Sequence, residues 1–410
     1  MTVVDELQTQ AQSEQHVPST VRPTPTAPVG PRRAVHTSTV QERFEIVGAA
    51  VAGVAVSTLL FGHLTAMYGG IGWTVVALVA FVGLYALLVG LRADAQEVKD
   101  RVMTVLLGVA GVVLFSALVF IVVYTVARGL PALRHTNFFV QTMKLAGPLD
   151  PLTVGGIRHA LVGTLIQISI ALAITVPLGI TTAVFLNEVG GPFARFVRTV
   201  SDAMTALPSV VAGLFVYASV IQIVTHERSG IAAALAITVM MLPIVIRSAD
   251  VVLRLVPQNL REAAYAMGAS RWRTVWCVVL PTARSGLATA VILGTARGLG
   301  ETSPVLLTSG ITAVLNKNPL AGPMISLPLQ VFDFVRSPEP SMIARGFGTA
   351  AVLMMLVIVL FAVARAIGGR GPGELSSRQQ RRVVAKSRRA LESIESLHAA
   401  PDADAQEEPR

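Results

Sequence analysis

Two ionisable residues of opposite charge, Arg297 and Glu301, lie four positions apart within an otherwise apolar stretch of the sequence. Side chains four residues apart share one face of a helix, so the two could form an ion pair. The planar fork of donors on a guanidinium also suits the oxygens of an oxyanion. The pair could simply neutralise itself. A charge at the centre of a membrane costs about 2.5–3.5 kcal/mol, however, and apolar residues would avoid that cost, so we favour a functional pair.

A second informative segment contains good helix formers followed by a glycine, the residue expected where a helix must end. Its small side chains would let another surface approach closely, and Arg261 and Glu262 supply charges around that contact. The residues allow two interpretations, a docking surface for a partner protein or an amphipathic helix that faces anionic lipid. The segment is Leu260-Arg261-Glu262-Ala263-Ala264-Tyr265-Ala266-Met267-Gly268-Ala269-Ser270.

The amino-acid composition shows whether these residues belong to a soluble protein or to a membrane protein. Of the 410 residues, 53% are hydrophobic and 14% are charged, whereas a soluble protein has about 25% charged residues. The charges are missing from long runs, most of which reach the roughly 20 apolar residues that a membrane-spanning helix needs. The composition therefore indicates a polytopic membrane protein and excludes a soluble enzyme and a nucleic-acid binder. The single cysteine, Cys277, excludes an internal disulfide and a cysteine-based metal cluster.

The apolar runs predict an all-α polytopic membrane protein with about eight transmembrane helices. Arg297 would lie about twelve residues, or roughly 18 Å, into the seventh span, near the middle of the bilayer. The predicted spans are residues 46–68, 71–91, 102–127, 160–186, 206–224, 230–246, 286–310 and 346–368.

Polar segments flank and divide these spans. Residues 1–44 are rich in proline and polar side chains, bury too little apolar surface to fold, and are predicted to form a disordered tail. Residues 45–91 hold the first two spans, and residues 92–158 hold a third span and an external loop. Residues 369–410 form a charged, non-periodic tail.

The distribution of lysine and arginine predicts the orientation. With the N-terminus in the cytoplasm, 23 of the 33 basic residues lie in cytoplasmic segments, as the positive-inside rule requires. We therefore expect a multi-pass protein of the cytoplasmic membrane with both termini inside. Asp250 and Arg254 are expected to form a solvated pair. The basic cluster of the C-terminal tail is expected to contact anionic lipid; it comprises Arg378, Arg381, Arg382, Lys386, Arg388 and Arg389.

The loop at residues 258–284 matches a known pattern of spaced residues. Glu-Ala-Ala at 262–264 is followed by Gly268 after three residues and by Val-Val-Leu-Pro at 278–281 after nine more. This spacing resembles the EAA loop of ABC importer permeases, with Val278 where that pattern usually has isoleucine. The resemblance implies a coupling helix that docks in a groove of a cytoplasmic ATPase subunit. The residues it assigns to coupling are Arg261, Glu262, Ala263, Ala264, Gly268, Leu280 and Pro281.

Further motifs extend the match over roughly residues 155–368. They are Gly163-Thr164-Leu165, Pro177-Leu178-Gly179-Ile180, Phe185-Leu186-Asn187-Glu188, Leu207 to Phe215, Pro243 to Arg247 with Leu255-Val256-Pro257, Ala296 to Pro304, and Met324 to Val331. Together they resemble the PstA family of permease subunits of phosphate-specific ABC transporters. The resemblance implies that the last five spans, within residues 159–368, form an ABC type I importer (MetI-like) permease core.

The resemblance also implies partners and roles. The chain would form half of a heterodimeric channel with a PstC-like permease, driven by a PstB-like ATPase and supplied by a PstS-like phosphate-binding protein. ATP and magnesium would bind to the ATPase, because this sequence has no GxxxxGK[ST] loop, no catalytic motif and no metal-binding motif. The family has transport-relevant arginines at the positions of Arg247 and Arg297. From its own position, Arg247 could equally be a positive-inside anchor.

Two other functions fit part of the sequence. The transported anion could be another oxyanion, since the local chemistry does not separate similar tetrahedral anions. The chain could also be a gradient-driven secondary transporter with Arg297 and Glu301 as its coupling element. Such transporters often contain internal repeats, and the sequence shows no convincing repeat. The first two spans depart from the family, which usually has a single span before its core.

Overall fold

The computed structural model of the protein describes residues 40–64, 69–91, 94–369 and 377–399. Within these residues all regular structure is helical, which confirms the all-α prediction. Helices suit the apolar runs because a backbone in lipid must satisfy its hydrogen bonds within its own segment.

Seven helices of the described residues are long and apolar enough to cross a membrane, and a bent pair adds an eighth crossing if it is counted as one span. These helices agree with the prediction of about eight spans. The seven are Phe44–His63, Gly70–Gly90, Ala95–Leu133, Arg158–Val189, Gly230–Arg254, Arg271–Leu299 and Pro340–Gly368.

We number the α-helices in chain order; short π-helical turns continue α1, α5, α7 and α10. The helices are α1 (Val40–Leu59), α2 (Gly70–Gly90), α3 (Ala95–Leu133), α4 (Asn137–Val140), α5 (Arg158–Val184), α6 (Gly191–Thr205), α7 (Ser209–Val216), α8 (Gly230–Arg254), α9 (Gln258–Ala266), α10 (Arg271–Thr274), α11 (Leu280–Leu299), α12 (Ser303–Thr308), α13 (Leu327–Val335), α14 (Pro340–Gly368) and α15 (Ser377–Ala399).

The first compact unit, Met1–Ala117, contains the paired helices α1 and α2 in its described part. The two helices pack closely where α1 has Gly53, which carries no side chain. A Cβ atom at that position would lie only 2.8 Å from the backbone nitrogen of Phe81 on α2. Oγ of Ser57 also donates a hydrogen bond to the carbonyl oxygen of Trp73 at 2.7 Å. This helical hairpin occupies the position of the two extra predicted spans.

The second compact unit, Leu118–Arg410, contains α5, α8, α11 and α14, whose facing sides form the main hydrophobic core. On α8 the buried face is built from alanines, and small residues let neighbouring membrane helices approach closely. The core comprises Ala132, Phe138, Ile157, Ala160, Ile168, Ala171, Ala233, Ile237, Met241, Leu299, Val305, Ile325, Leu327 and Leu329.

The predicted fifth span, residues 206–224, belongs to a sharply bent pair of helices. α6 meets the segment Ser209–Thr225 at an angle of 107°. The bend falls at Pro208, which adopts an extended conformation. Proline lacks a backbone N–H and disfavours a helical conformation of the residue before it, so the helix cannot continue through Leu207.

The predicted seventh span, residues 286–310, is displaced towards the N-terminus. The helical segment runs from Arg271 to Leu299 and is interrupted before α12 begins at Ser303. Gly300 follows the helix, and Pro304 occupies the first turn of the next one, where a missing N–H does no harm. Arg297 therefore lies in the last turn of a helix rather than in the middle of one.

Both terminal segments that were predicted to lack regular structure contain helix in their described parts. Residues 40–44 of the predicted disordered segment 1–44 are the beginning of α1, while residues 1–39 lie outside the described part of the chain. The charged tail 369–410 was predicted to be non-periodic, but it contains the helix α15.

Candidate functional site

The ion pair between Arg297 and Glu301 forms where α11 ends. Nε of Arg297 lies 2.9 Å from Oε1 of Glu301. The glutamate side chain is 7% exposed, whereas the arginine side chain is 56% exposed. The pair thus holds the arginine from its buried side and leaves the guanidinium open to a second partner.

The contact between these two side chains is an ion pair without an aligned hydrogen bond. Oε1 of Glu301 is buried, and no donor among the described residues reaches it with hydrogen-bond geometry. The 2.9 Å separation from Nε of Arg297 still allows strong Coulombic attraction, so only the angle is unfavourable. The buried carboxylate oxygen therefore keeps the capacity to accept a proton donor from another molecule.

Glycines on α11 bring the helix that carries Arg297 directly against α8. A Cβ atom on Gly294 would lie 2.5 Å from Cγ2 of Val245, and one on Gly298 would collide with Met241. Glycine allows this close approach of two membrane helices. The backbone of α11 on either side of Arg297 is therefore packed against side chains of α8.

A small polar cavity lies beside Glu301 and has room for about one water molecule. Its polar lining comes from Thr164 and Gln167 on α5, from Glu301, and from Ser326 just before α13. Oε1 of Gln167 and Oγ of Ser326 are buried and have no hydrogen-bond partner among the described residues. The sequence analysis missed Gln167 and Ser326, although an amide within the uncharged run 159–187 was a signal for the first.

Two hydrogen bonds hold the segment before α13 against α5. Nε2 of Gln167 donates to the carbonyl oxygen of Met324 at 2.7 Å, and the backbone nitrogen of Leu327 donates to Oγ1 of Thr164 at 2.7 Å. Because a carbonyl oxygen can only accept, the first bond fixes the orientation of the amide. Oε1 of Gln167 is consequently a free acceptor.

Arg247 lies on α8, apart from the Arg297–Glu301 pair. Its Nη1 approaches Oδ1 of Asp202 on α6 at 3.8 Å, and both side chains are more than half exposed. Because Met241 contacts the Gly298 position, Arg247 lies six residues, or about 9 Å, further along α8. The two arginines therefore lie on adjacent helices at different heights.

Arg261 on α9, one of the predicted coupling residues, points into the protein rather than away from it. It donates from Nη1 to the carbonyl oxygen of Val256 at 2.9 Å and from Nη2 to that of Leu253 at 3.1 Å. Its Nη2 also lies 3.1 Å from Oε1 of Glu188 at the end of α5. Arg261 thus fastens α9 to the ends of two long helices, α5 and α8.

Gly268 ends α9 with a left-handed turn. Its φ of 79° is a conformation that L-residues rarely adopt. The nitrogen of Gly268 donates to the carbonyl oxygen of Tyr265 at 2.9 Å, and that of Ala269 to the carbonyl oxygen of Ala264 at 3.1 Å. These two bonds form a Schellman motif, which satisfies carbonyl groups that a helix end would otherwise leave without donors.

The rest of α9 presents an exposed surface. Glu262 and Ala263 are exposed, Ala264 is half-buried, and Met267 beyond the helix is 88% exposed. Trp272, at the start of α10, is 68% exposed as well.

The other two predicted coupling residues are Leu280 and Pro281. They form the first turn of α11. Leu280 is half-buried and packs against a second hydrophobic core, which includes Leu253 and Val279. Pro281 is exposed.

Asp250 forms the predicted pair with Arg254, but it is buried rather than solvated and also joins two further elements. It is 9% exposed and accepts hydrogen bonds from Nδ2 of Asn187 at 2.7 Å and from Nη2 of Arg254 at 2.8 Å. Nη2 of Arg198 on α6 approaches it at 3.4 Å. Asp250 consequently ties α5, α6 and α8 together.

The described residues define a multi-pass membrane protein with an Arg–Glu pair at a helix break and an exposed helix fastened to its core. Residues 175–368 match the family described as the binding-protein-dependent transport system inner membrane component.

Three relatives identify the particular family. The chain is 38% identical over 272 residues to the phosphate transport system permease protein PstA of Mycobacterium leprae. This match covers 66% of this chain and 89% of the relative. It is 37% identical to PstA 1 of Mycobacterium tuberculosis H37Rv (65% and 86% covered) and 32% identical to PstA of Pasteurella multocida (66% and 94% covered). The chain belongs to the PstA family of phosphate transport system permeases, and the resemblance of its motifs is confirmed.

A solved structure of the MetNI methionine ABC transporter in an inward-facing conformation is also similar to this chain. The two share 20% sequence identity with a TM-score of 0.42, and the match covers 52% of this chain and 93% of that chain.

Proposed function

We propose that this chain is the permease subunit of an ATP-driven importer that moves inorganic phosphate across the cytoplasmic membrane. The observation that carries the proposal is the half-exposed guanidinium of Arg297, held from behind by the buried carboxylate of Glu301. Such a fork of donors binds phosphate oxygens through charge-assisted hydrogen bonds. The names of the relatives, permeases of phosphate transport systems, support the same anion.

Glu301 gives the site a means of release. In the absence of anion its carboxylate holds Arg297 at 2.9 Å, and a bound phosphate must share the guanidinium with it. The negative charge of Glu301 also repels the anion, which weakens binding. A site that bound phosphate tightly would slow transport, so the pair balances capture against release. Arg247, about 9 Å further along the α8–α11 pair, is the next cationic group on the proposed path.

The helix α9 is the proposed coupling helix. Its exposed residues Glu262 and Ala263 would contact the ATPase, whereas Arg261 faces inwards and holds the helix to α5 and α8. Movement of the ATPase subunit would thus be passed to two helices of the core. One of them, α8, packs against the helix that carries Arg297.

The proposed assembly contains three further kinds of chain. A PstC-like permease would complete the channel, a PstB-like ATPase would bind ATP and magnesium, and a PstS-like protein would deliver phosphate. The match to binding-protein-dependent transport components supports a binding protein and a separate source of energy. In this proposal the chain itself catalyses no reaction.

The proposed orientation places both termini and α9 in the cytoplasm. It follows from the excess of lysine and arginine in the segments that would then face the cytoplasm. The basic helix α15 would lie on the same side, where anionic lipid attracts it.

Replacement of Arg297 by glutamine tests the proposed function. The complete transporter, reconstituted in proteoliposomes with ATP and the binding protein, should lose at least about nine-tenths of its phosphate uptake, because a neutral amide cannot replace the charged fork. Arg336→Gln is the matched control, because Arg336 is an exposed arginine that lies over the ring of Phe332 and interacts with the carboxylate of Asp333. Unchanged uptake by Arg297→Gln would contradict the proposal. Phosphate movement by this chain alone, driven by an ion gradient, would favour a secondary transporter instead.

A further inference from the structure

Three residues that line the cavity beside Glu301 each carry a buried polar atom without a hydrogen-bond partner among the described residues. The atoms are Oε1 of Gln167, Oγ of Ser326 and Oε1 of Glu301, and the residues are 1%, 2% and 6% exposed. Oε1 of Glu301 also forms the ion pair with Arg297. Buried polar atoms are almost always partnered, because each unpaired one lowers stability. The presence of three such atoms on residues that line one cavity points to a site that accepts a ligand.

The three atoms determine which kind of ligand the cavity accepts. Oε1 of Gln167 can only accept a hydrogen bond, and its orientation is fixed by the bond from Nε2 to Met324. Oε1 of Glu301 also accepts, while the hydroxyl of Ser326 can accept or donate. The ligand group that enters the cavity must therefore be a hydrogen-bond donor such as a hydroxyl.

The size of the cavity further limits which ligand can enter it. It has room for about one water molecule, so it can take a single hydroxyl group but not a whole oxyanion. Arg297 pairs with the glutamate of the same cavity, and its half-exposed guanidinium favours a negatively charged second ligand. An oxyanion that carries both negative oxygens and one protonated oxygen satisfies both requirements.

We propose that Gln167, Ser326 and Glu301 recognise the protonated oxygen of hydrogen phosphate while Arg297 binds its charged oxygens. The inference rests on the proposed role of Arg297 and adds the substrate selectivity of the same site. Phosphate and arsenate keep at least one proton at neutral pH, whereas sulfate has none. Sulfate would place a bare oxygen against the acceptors of Gln167 and Glu301, so the translocation path itself rejects it. The local site thus separates anions that Arg297 alone does not distinguish.

Anion binding to the purified permease–ATPase complex, without the binding protein, tests this inference. The probe is the rise in unfolding temperature during titration with phosphate, arsenate or sulfate at pH 7 and constant ionic strength. For the unmodified complex, phosphate and arsenate should act at concentrations at least about tenfold lower than sulfate, since a site built for a hydroxyl rejects a ligand that lacks one.

Three variants should reduce this preference to less than about threefold. Ser326→Ala removes one hydroxyl with little change in volume, and Gln167→Leu removes the fixed acceptor. Glu301→Gln replaces a repelling carboxylate with an amide that can donate to sulfate, so it should improve sulfate binding. The matched control is Thr175→Val, because Oγ1 of Thr175 is equally buried and unpartnered on α5 but does not line the cavity. Its preference should remain at about tenfold.

The outcomes separate this inference from the proposed function. If the unmodified complex binds sulfate as well as phosphate, or if Ser326→Ala and Gln167→Leu both keep the full preference, the cavity holds only water and the inference is wrong. Arg297→Gln should abolish the effect of every anion. If phosphate stabilises Arg297→Gln as well as the unmodified complex, the proposed role of Arg297 fails as well.

Discussion

Arg261 on α9 and Glu188 at the end of α5 form an ion pair in which Nη2 lies 3.1 Å from Oε1, with the side chains 14% and 11% exposed. The same guanidinium donates to the carbonyl oxygen of Leu253 in the last turn of α8 and to that of Val256 just beyond it. One side chain thus joins an exposed surface helix to two long helices of the core. This linkage makes α9 suitable for passing a mechanical displacement inwards.

Replacement of Arg261 by lysine should uncouple the transporter. Lysine keeps the charge but lacks the planar fork, so it cannot bind Glu188 and both carbonyl oxygens together. We expect phosphate uptake to fall about tenfold while the complex still assembles. Hydrogen exchange of the amides in residues 258–268 should become faster, because α9 is then held less firmly.

Arg271→Lys is a control for that experiment, because Arg271 is an exposed arginine of the same loop. Its uptake and hydrogen exchange should match those of the unmodified protein. If Arg261→Lys also left both measurements unchanged, the guanidinium would have no role in coupling.

Gly268 should tolerate asparagine but not valine. Its φ of 79° costs an ordinary residue about 1–2 kcal/mol, least for asparagine and most for a β-branched side chain. No atom lies within 4 Å of a Cβ built at this position, so the effect is conformational rather than a collision. Gly268→Val should therefore lose ATP-driven uptake, and Gly268→Asn should keep at least about half of it. Equal uptake by both variants, with equal amounts in the membrane, would contradict this role of the left-handed turn.

The sequence predicted the parts of the fold that follow from local composition. Uncharged runs predict the long helices because apolar length is a property of one segment. The end of α9 at Gly268 was also predictable, since a glycine with a left-handed conformation often terminates a helix. The bend at Pro208 and the break after Leu299 were not predicted, because hydropathy measures only how apolar a segment is and does not report the direction of its backbone.

The candidate site was only partly predictable for a different reason. Arg297 and Glu301 are four residues apart, so their pairing follows from helical geometry. Thr164 and Leu327 lie 163 positions apart and are joined by a hydrogen bond that depends on the packing of distant elements. The inward direction of Arg261 likewise depends on Glu188, 73 residues earlier. No local pattern in a single sequence specifies such contacts.

Replacement of Arg247 by glutamine should slow transport less than replacement of Arg297. The Arg247 side chain is 68% exposed and its contact with Asp202 is 3.8 Å long, so the variant should fold normally. We expect uptake to fall about three- to tenfold, because the second cationic group on the path is lost. Arg247→Lys should recover most of the rate if the charge matters for the anion. If Arg247→Gln changed only the amount of protein inserted, Arg247 would be a positive-inside anchor instead.

Asp250 and Asp202 allow a direct comparison of a buried and an exposed carboxylate in the same region. Asp250 accepts hydrogen bonds from Asn187 and Arg254 and attracts Arg198, so Asp250→Asn should cost about 2–3 kcal/mol of stability. The contact of Asp202 with Arg247 is more than half exposed, and Asp202→Asn should cost less than about 1 kcal/mol. Thermal unfolding of the purified complex should therefore shift by several degrees for the first variant and hardly at all for the second. Equal shifts would show that Asp250 does not tie α5, α6 and α8 together.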